Sequence, residues 1–252
     1  MEELIINKLK ENNWDVYYEN IDQVTEEEYA KLRNDTFGAS DSSKLLDVNP
    51  FPNGSLSDLM KEKLTGIFDE TISKKPSVRM GKEIEPLILN KAEEVLNTKV
   101  YKPKNMYKDN ESALSVNFDG VACIENELVP VEAKAISRFG RRYYNFNKTY
   151  YTQKDGVWYP LNTVELKPTV VNDEHYIENL ADEYGIPVYY FTQLQQQILA
   201  LNSDYGFLIA LDVENWNAHI FKIYKDSYTL ELIKSLGTAY GIKLNIMKNK
   251  TL

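Results

Sequence analysis

Apolar and polar positions alternate with period two across residues 128–135. Val129, Val131, Ala133 and Ala135 fall on one face, and Leu128, Pro130, Glu132 and Lys134 on the other. The pattern predicts a strand, joined by a turn at Glu125-Asn126-Glu127 to a second strand over 121–124. Pro130 inside the first of these predicts an edge position or a bulge. Further strands are predicted over 100–106, 113–118, 206–212 and 218–224. Residues 77–96 instead follow the 3.6 period, with Ile84, Leu87, Ile88, Ala92, Val95 and Leu96 on one stripe. Pro86 predicts a kink there, because it cannot donate to residue 82. Shorter helices are predicted over 2–12, 25–32, 40–46, 55–64, 193–201 and 227–236. Thr25 can cap the second, where Glu26, Glu27 and Glu28 suit the positive end of the dipole. In the 193–201 helix, Leu194, Ile198 and Leu201 face the core, with Gln193, Gln196 and Gln197 beside them. Residues 138–185 show little periodicity and read as an insertion with a small helix near 174–184. The order of elements predicts an α/β fold: a central mixed β-sheet flanked by helices, with an N-terminal helical part, in a single domain over 1–252.

The composition adds exclusions. Hydrophobic residues are 43% and charged residues 27% of 252, an ordinary globular mix. There is no run of eighteen apolar residues, so no membrane span is expected. The opening MEELIINKLKENNWD has no basic stretch leading into an apolar core. It is therefore not expected to be a secretory signal, and a cytoplasmic location is expected. Cys123 is the only cysteine, which excludes an internal disulfide, a cysteine zinc cage and an iron–sulfur cluster. His175 and His219 are the only histidines, too few for a histidine-rich metal site. Each is expected as a surface or core residue, and Cys123 as a small buried hydrophobe.

The net charge of −9 argues against binding nucleic acid over the whole surface. From Lys134 to Lys154, however, the chain carries six basic residues and no acid, interleaved with Tyr143, Tyr144, Phe146, Tyr150 and Tyr151. Cations neutralise phosphates and rings stack on bases, so Arg138, Arg141 and Arg142 are candidate DNA contacts. A solvated loop with incidental tyrosines is the alternative.

Three residues carry candidate chemistry. Asp119 stands at the start of one strand, and Glu132 and Lys134 project side by side from the next. Two carboxylates suit Mg²⁺, which takes hard oxygen ligands. A lysine beside the metal can position water or neutralise a developing charge on phosphorus, which together make a kit for phosphodiester hydrolysis. The plainer alternatives are a hairpin turn at Asp119-Gly120 and an ordinary ion pair on a solvated sheet face.

Five blocks then fall in order: Arg33 with Phe37-Gly38-Ala39-Ser40-Asp41 and Asn49-Pro50-Phe51; Gly81-x-x-x-Glu85; Asp119; Glu132-x-Lys134; and Gln193-x-Gln195-Gln196-Gln197. This order resembles the PD-(D/E)-x-K nuclease superfamily. Within it, the chain resembles the phage lambda-type exonucleases, or YqaJ-like viral recombinases, over residues 33–135 and 189–224. Phe118 stands where the superfamily often has proline. The resemblance implies a restriction-endonuclease-like core, covering about 33–135 and 189–240. It implies that Asp119, Glu132 and the carbonyl of Ala133 bind Mg²⁺, with Mn²⁺ as a substitute, and that Glu85 joins them through water or a second metal. Lys134 would activate water, supported by Gln193, with Gln195 as the second choice. Arg33 and Ser40 would hold a 5′-phosphate. The implied function is a 5′→3′ exonuclease acting on double-stranded DNA ends in phage-type recombination inside a bacterial host. Its implied partners are a single-strand annealing protein and copies of itself in a homotrimer. Rival readings are a structure-specific or restriction-type endonuclease and a catalytically inactive DNA-binding module.

Overall fold

The computed structural model describes residues 1–66, 75–161 and 175–251. The chain opens with α1 (Glu2–Glu11) and β1 (Trp14–Tyr18). Thr25 caps α2 (Glu26–Asn34): its hydroxyl accepts from the Glu28 N–H, and the Glu28 carboxylate takes the Thr25 N–H in return. Next come β2 (Phe37–Gly38), a 3₁₀ turn (Ala39–Asp41), α3 (Ser42–Leu45) and α4 (Leu56–Thr65), which ends on Gly66 in the left-handed region. The long helix α5 (Pro76–Leu96) runs through Pro86, which sits on its exposed side.

Five strands follow: β3 (Val100–Tyr101), β4 (Met106–Asp109), β5 (Leu114–Val116), β6 (Gly120–Ile124) and β7 (Glu127–Ile136). The hairpin β8 (Tyr151–Lys154) and β9 (Val157–Pro160) precedes helices α6 (Tyr176–Tyr184) and α7 (Val188–Leu201). Strands β10 (Tyr205–Asp212) and β11 (Ala218–Tyr224) and helix α8 (Ser227–Thr251) complete the fold.

Seven strands form one sheet in the order β3-β6-β7-β10-β11-β8-β9. Within it β7 and β10 run parallel, with Glu132 opposite Leu208, and the other neighbours are antiparallel. A parallel pair needs a crossover, and α6 and α7 lie on that connection. Phe191, Leu194 and Ile198 of α7 cover Leu208 and Ala210 on one face. Ile88, Leu89 and Ala92 of α5 cover Val129, Val131 and Ala133 on the other. Each of the Val, Leu, Ile and Phe side chains among them contributes about 1.5–3 kcal/mol when fully buried. A smaller sheet, β1-β4-β5-β2, packs with α1 and α4 in a second cluster. The expected α/β class with a mixed sheet and helical cover is found. The division into two sheets goes beyond it.

Several boundaries differ from expectation. The single strand predicted over 100–106 is two: β3 belongs to the large sheet and β4 to the small one, with Pro103, which lacks an N–H, between them. Trp14–Tyr18 carries the alternation of a strand but was not among those predicted. The glutamine helix begins at Val188, ahead of Gln193, with Pro187 at its N-cap. The last helix continues past residue 236 to Thr251. It runs through Gly237, where a Cβ would lie 2.6 Å from Leu114, so the glycine lets α8 pack directly on β5. Pro130 marks neither an edge nor a bulge, since β7 is internal and its β6 register is unbroken. The β10 ladder starts one residue later, at Val131, so the missing N–H of Pro130 costs no bond there. Within 138–185, β8 pairs with β11 and extends the large sheet, while residues 162–174 lie outside the described residues. Gly120 opens a strand opposite Val131 and forms no hairpin turn. A Cβ there would come within 2.4 Å of Val100.

Candidate active site

Glu132 lies on the α7 face of the central strand pair and is fully buried. A carboxylate moved out of water costs several kcal/mol unless its oxygens are satisfied. Here both are. Gln193 Nε2 donates to Oε1 at 2.6 Å, and Gln197 Nε2 donates to Oε2 at 2.7 Å. Lys134 Nζ also reaches Oε1 in a short ion pair. The spacing explains the pairing: residues 193 and 197 are one helical turn apart and point the same way. Lys134 sits over the Tyr190 ring of the same helix at 4.9 Å. Burial opposes its charge, yet Glu132 and Asp119 outweigh burial and hold it as an ammonium. Burial and then Asp119 push Glu132 upward, against Lys134 and Gln197.

Asp119 precedes β6 and turns back onto β7, where its Oδ2 accepts the Ala133 N–H at 3.0 Å. The N–H and C=O of a strand residue point to the same side, so the Ala133 carbonyl also points to the edge where β6 has ended. Glu85 on α5 is half-buried and paired with Lys102 at 2.8 Å. Burial raises it, and the Asp119 charge raises it further. Glu85, Asp119 and Glu132 thus share one electrostatic neighbourhood whose negative charges oppose one another. A cation among them relieves that opposition.

Among the described residues, no three His, Cys, Asp or Glu side chains are gathered closely enough to hold an ion by themselves. At the half-exposed edge the donors are the Asp119 carboxylate and the Ala133 carbonyl, with the buried Glu132 carboxylate, held by Gln193, Gln197 and Lys134, beside them. That set suits Mg²⁺, which keeps several of its waters and uses few protein ligands.

The Arg33 corner is separate in sequence and equally built. Arg33 Nη2 donates to Asp41 Oδ1 at 2.5 Å and to Ser40 Oγ at 3.1 Å. Asp41 Oδ2 takes the Gly38 N–H at 3.0 Å and the Lys63 ammonium at 2.9 Å. Lys63 also donates to the Arg33 carbonyl at 2.9 Å. Burial alone would raise Asp41, but Arg33 and Lys63 hold it well below the usual carboxylate range. Gln196 joins the corner to the glutamine helix, donating to the carbonyls of Phe37 and Ser115 at 2.9 Å each. Its Oε1 accepts from the Ser42 hydroxyl at 2.6 Å.

The basic segment after β7 is exposed, and its acid-free sequence is not acid-free in space. Arg141 pairs with the buried Asp212 of β10 at 2.9 Å. Arg142 lies over the Tyr143 ring at 4.8 Å, and Arg138 is exposed. His219 is a core residue: Nδ1 shares a 2.7 Å hydrogen bond with Thr152, and its ring lies 4.0 Å from that of Phe146.

The structure therefore gathers Asp119, Glu132, Lys134 and Gln193, with Ala133 between, and sets Glu85 within their field. Gln195 points elsewhere, donating to the Tyr224 carbonyl at 2.8 Å and accepting the Asp226 N–H at 3.0 Å. Its candidacy as the second glutamine is corrected to Gln197, which the four-residue spacing from Gln193 could have found. Asp41, Lys63, Lys102 and Tyr190 were also missed. Asp41 stands in the same sequence block as its partner Arg33 and could have been read from it, whereas Lys63, Lys102 and Tyr190 meet Asp41, Glu85 and Lys134 only through the fold.

Three solved structures share this fold. LHK-Exo in complex with dAMP is 13% identical, with TM-score 0.57, covering 89% of this chain and 95% of that one. The alkaline exonuclease LHK-Exo from Laribacter hongkongensis is 13% identical, with TM-score 0.56 and the same coverage. A phage-related exonuclease from Haemophilus somnus 129PT is 10% identical, with TM-score 0.53, covering 86% of this chain and 96% of that one. A search of the curated proteins by sequence returns no match. The family model of the YqaJ-like viral recombinase domain matches residues 28–202, most of the chain, a span that includes Arg33, Glu85, Asp119, Glu132, Lys134, Gln193 and Gln197, and the chain belongs to that family.

Proposed function

We propose that this protein is a metal-dependent deoxyribonuclease that degrades duplex DNA from its ends in the 5′→3′ direction. The observation that carries the reading is Glu132. It is a fully buried carboxylate with both oxygens bound by Gln193, Gln197 and Lys134, and it neighbours Ala133, whose amide holds Asp119. So much buried polar machinery is costly for stability alone, and it lies at a half-open edge. The structural neighbours named as exonucleases and the viral recombinase family support the same reading.

Asp119, Glu132 and the Ala133 carbonyl would hold the metal. When bound, it supplies Lewis acidity to a phosphate oxygen and a nucleophilic water. Lys134 holds a positive charge beside Glu132, where it can orient water and stabilise charge developing on phosphorus. Gln193 and Gln197 fix the Glu132 carboxylate, so its oxygens need not reorganise during the reaction. Arg33 and Ser40 present a guanidinium and an exposed hydroxyl to the terminal 5′-phosphate, and Gln196 ties that corner to the catalytic helix.

The experiment is end dependence. Linear duplex and covalently closed circular duplex are incubated with the protein and Mg²⁺. Mononucleotide release from the linear substrate alone is expected. Cutting of the circle at a comparable rate would give the endonuclease reading instead.

A further inference from the structure

The Arg33 corner has an electrical feature that Arg33 cannot supply. Arg33 and Asp41 are paired at 2.5 Å, so together they present no net charge to an anion. The excess positive charge comes from Lys63, whose side chain is 1% exposed and which reaches Asp41 from behind at 2.9 Å. Its sequence neighbour Glu62 also acts on Lys63 and Arg33, but its charge is shared with Lys44, with which it pairs at 3.3 Å. Buried cations held by fewer anions than cations are costly, and an incoming anion offsets that cost. The way in is from the Arg33 side, where the guanidinium is 27% exposed and Ser40 is open to solvent.

We propose that Lys63, buried behind the Arg33–Asp41 pair, supplies the net positive charge with which this corner selects a terminal 5′-phosphate. The inference rests on the terminal-phosphate reading above and adds its charge-determining residue. Lys63 never touches the phosphate. It lets Arg33 stay oriented by Asp41 without being neutralised by it. A purely structural role is the competing account, because Lys63 also caps the end of α2 through the Arg33 carbonyl.

The test is a charge series read as the ratio of kcat/KM on 5′-phosphorylated over 5′-hydroxyl ends of otherwise identical linear duplexes. Lys63→Gln removes the excess charge, and the ratio should fall about ten-fold. Lys63→Gln with Asp41→Asn restores one net positive charge, and the ratio should return to within about two-fold of wild type. Asp41→Asn alone adds a charge, and the ratio should rise above wild type. If Lys63→Gln does not fold, the ordering of Asp41→Asn above the double variant still decides the matter. A ratio that ignores the charge series overturns the proposal. So does a loss in Lys63→Gln that the double variant fails to recover, which is the pattern of a helix cap. A wild type indifferent to the 5′ group would sink the terminal-phosphate reading itself, and is distinguishable because it appears before any variant is made.

Discussion

The main-chain N–H of Ala133 donates to Asp119 Oδ2 at 3.0 Å. The bond ties a carboxylate at the end of one strand to the edge of the next, between Glu132 and Lys134. It also means that the charge and the anchoring of Asp119 can be separated. Asp119→Asn retains an oxygen that can accept from Ala133 but loses the anion. Stability should change little, by less than about 1 kcal/mol, while nuclease rate falls by at least about a hundred-fold. Parallel thermal melts and digestion assays check this. A rate within a few-fold of wild type would remove Asp119 from the site.

The glutamines of α7 should divide by partner. Gln197 is fully buried against Glu132 Oε2, so Gln197→Leu leaves that oxygen without its donor. A cost of about 1–3 kcal/mol in stability is expected, together with a loss of activity. Gln195→Ala breaks the bonds to Tyr224 and Asp226 and should also destabilise the fold. Activity per folded molecule should stay near wild type. Denaturant melts combined with rates normalised to folded protein distinguish the two.

The contrast shows how far the sequence is legible. Period-two alternation located Glu132 and Lys134 on one face of a strand, and that face is where they are. The 3.6 period placed Ile88 and Ala92 of α5 in the core, where they lie. Solvation was not legible: alternation suggests one wet face, but α7 covers it, and only the parallel crossover makes that so. Four glutamines stand within five positions, yet the helix sends Gln193 and Gln197 to Glu132, Gln196 to the Phe37 carbonyl and Gln195 to the Tyr224 carbonyl. Asp212 illustrates the same limit. It cancels Arg141 across seventy residues of sequence, which no local charge count detects.

The basic segment should respond unequally to neutralisation. Arg138 is exposed, so Arg138→Ala should flatten the slope of log affinity for DNA against log salt by about one unit. Arg141→Ala leaves the buried Asp212 unpaired and should lower stability by about 1–3 kcal/mol before any effect on DNA is read. Fluorescence binding titrations at several salt concentrations, with melts of each variant, check both. An unchanged slope for Arg138→Ala would mark the segment as a solvated loop.

Acid should probe His219. Burial is the main cause of its depression to about 4 from 6.5, with the Arg141 charge adding to it and Asp212 opposing. Between those values the unfolded chain binds a proton that the folded chain does not, so stability rises with pH. The stability is present above 6.5 and is lost as pH falls through the window toward 4. The loss amounts to at most about 3 kcal/mol. His219→Gln should lack this component, so its stability should fall less than that of wild type between pH 7 and 4. Parallel acid dependence in the two proteins would contradict the assignment.

Metal dependence of the Glu132 site is the most direct measurement. Wild type and Glu132→Gln are titrated with Mg²⁺ from a chelated start, and nucleotide release from linear 5′-phosphorylated duplex is followed. The glutamine is nearly isosteric and stays within reach of Gln193, Gln197 and Lys134, so folding is checked by circular dichroism. The account predicts no release by either protein under chelation. It predicts saturable, reversible activation of wild type, and a rate for Glu132→Gln lower by at least about a hundred-fold at every Mg²⁺ concentration. Digestion by chelated wild type, or a folded Glu132→Gln that matches wild type at saturating Mg²⁺, would contradict it.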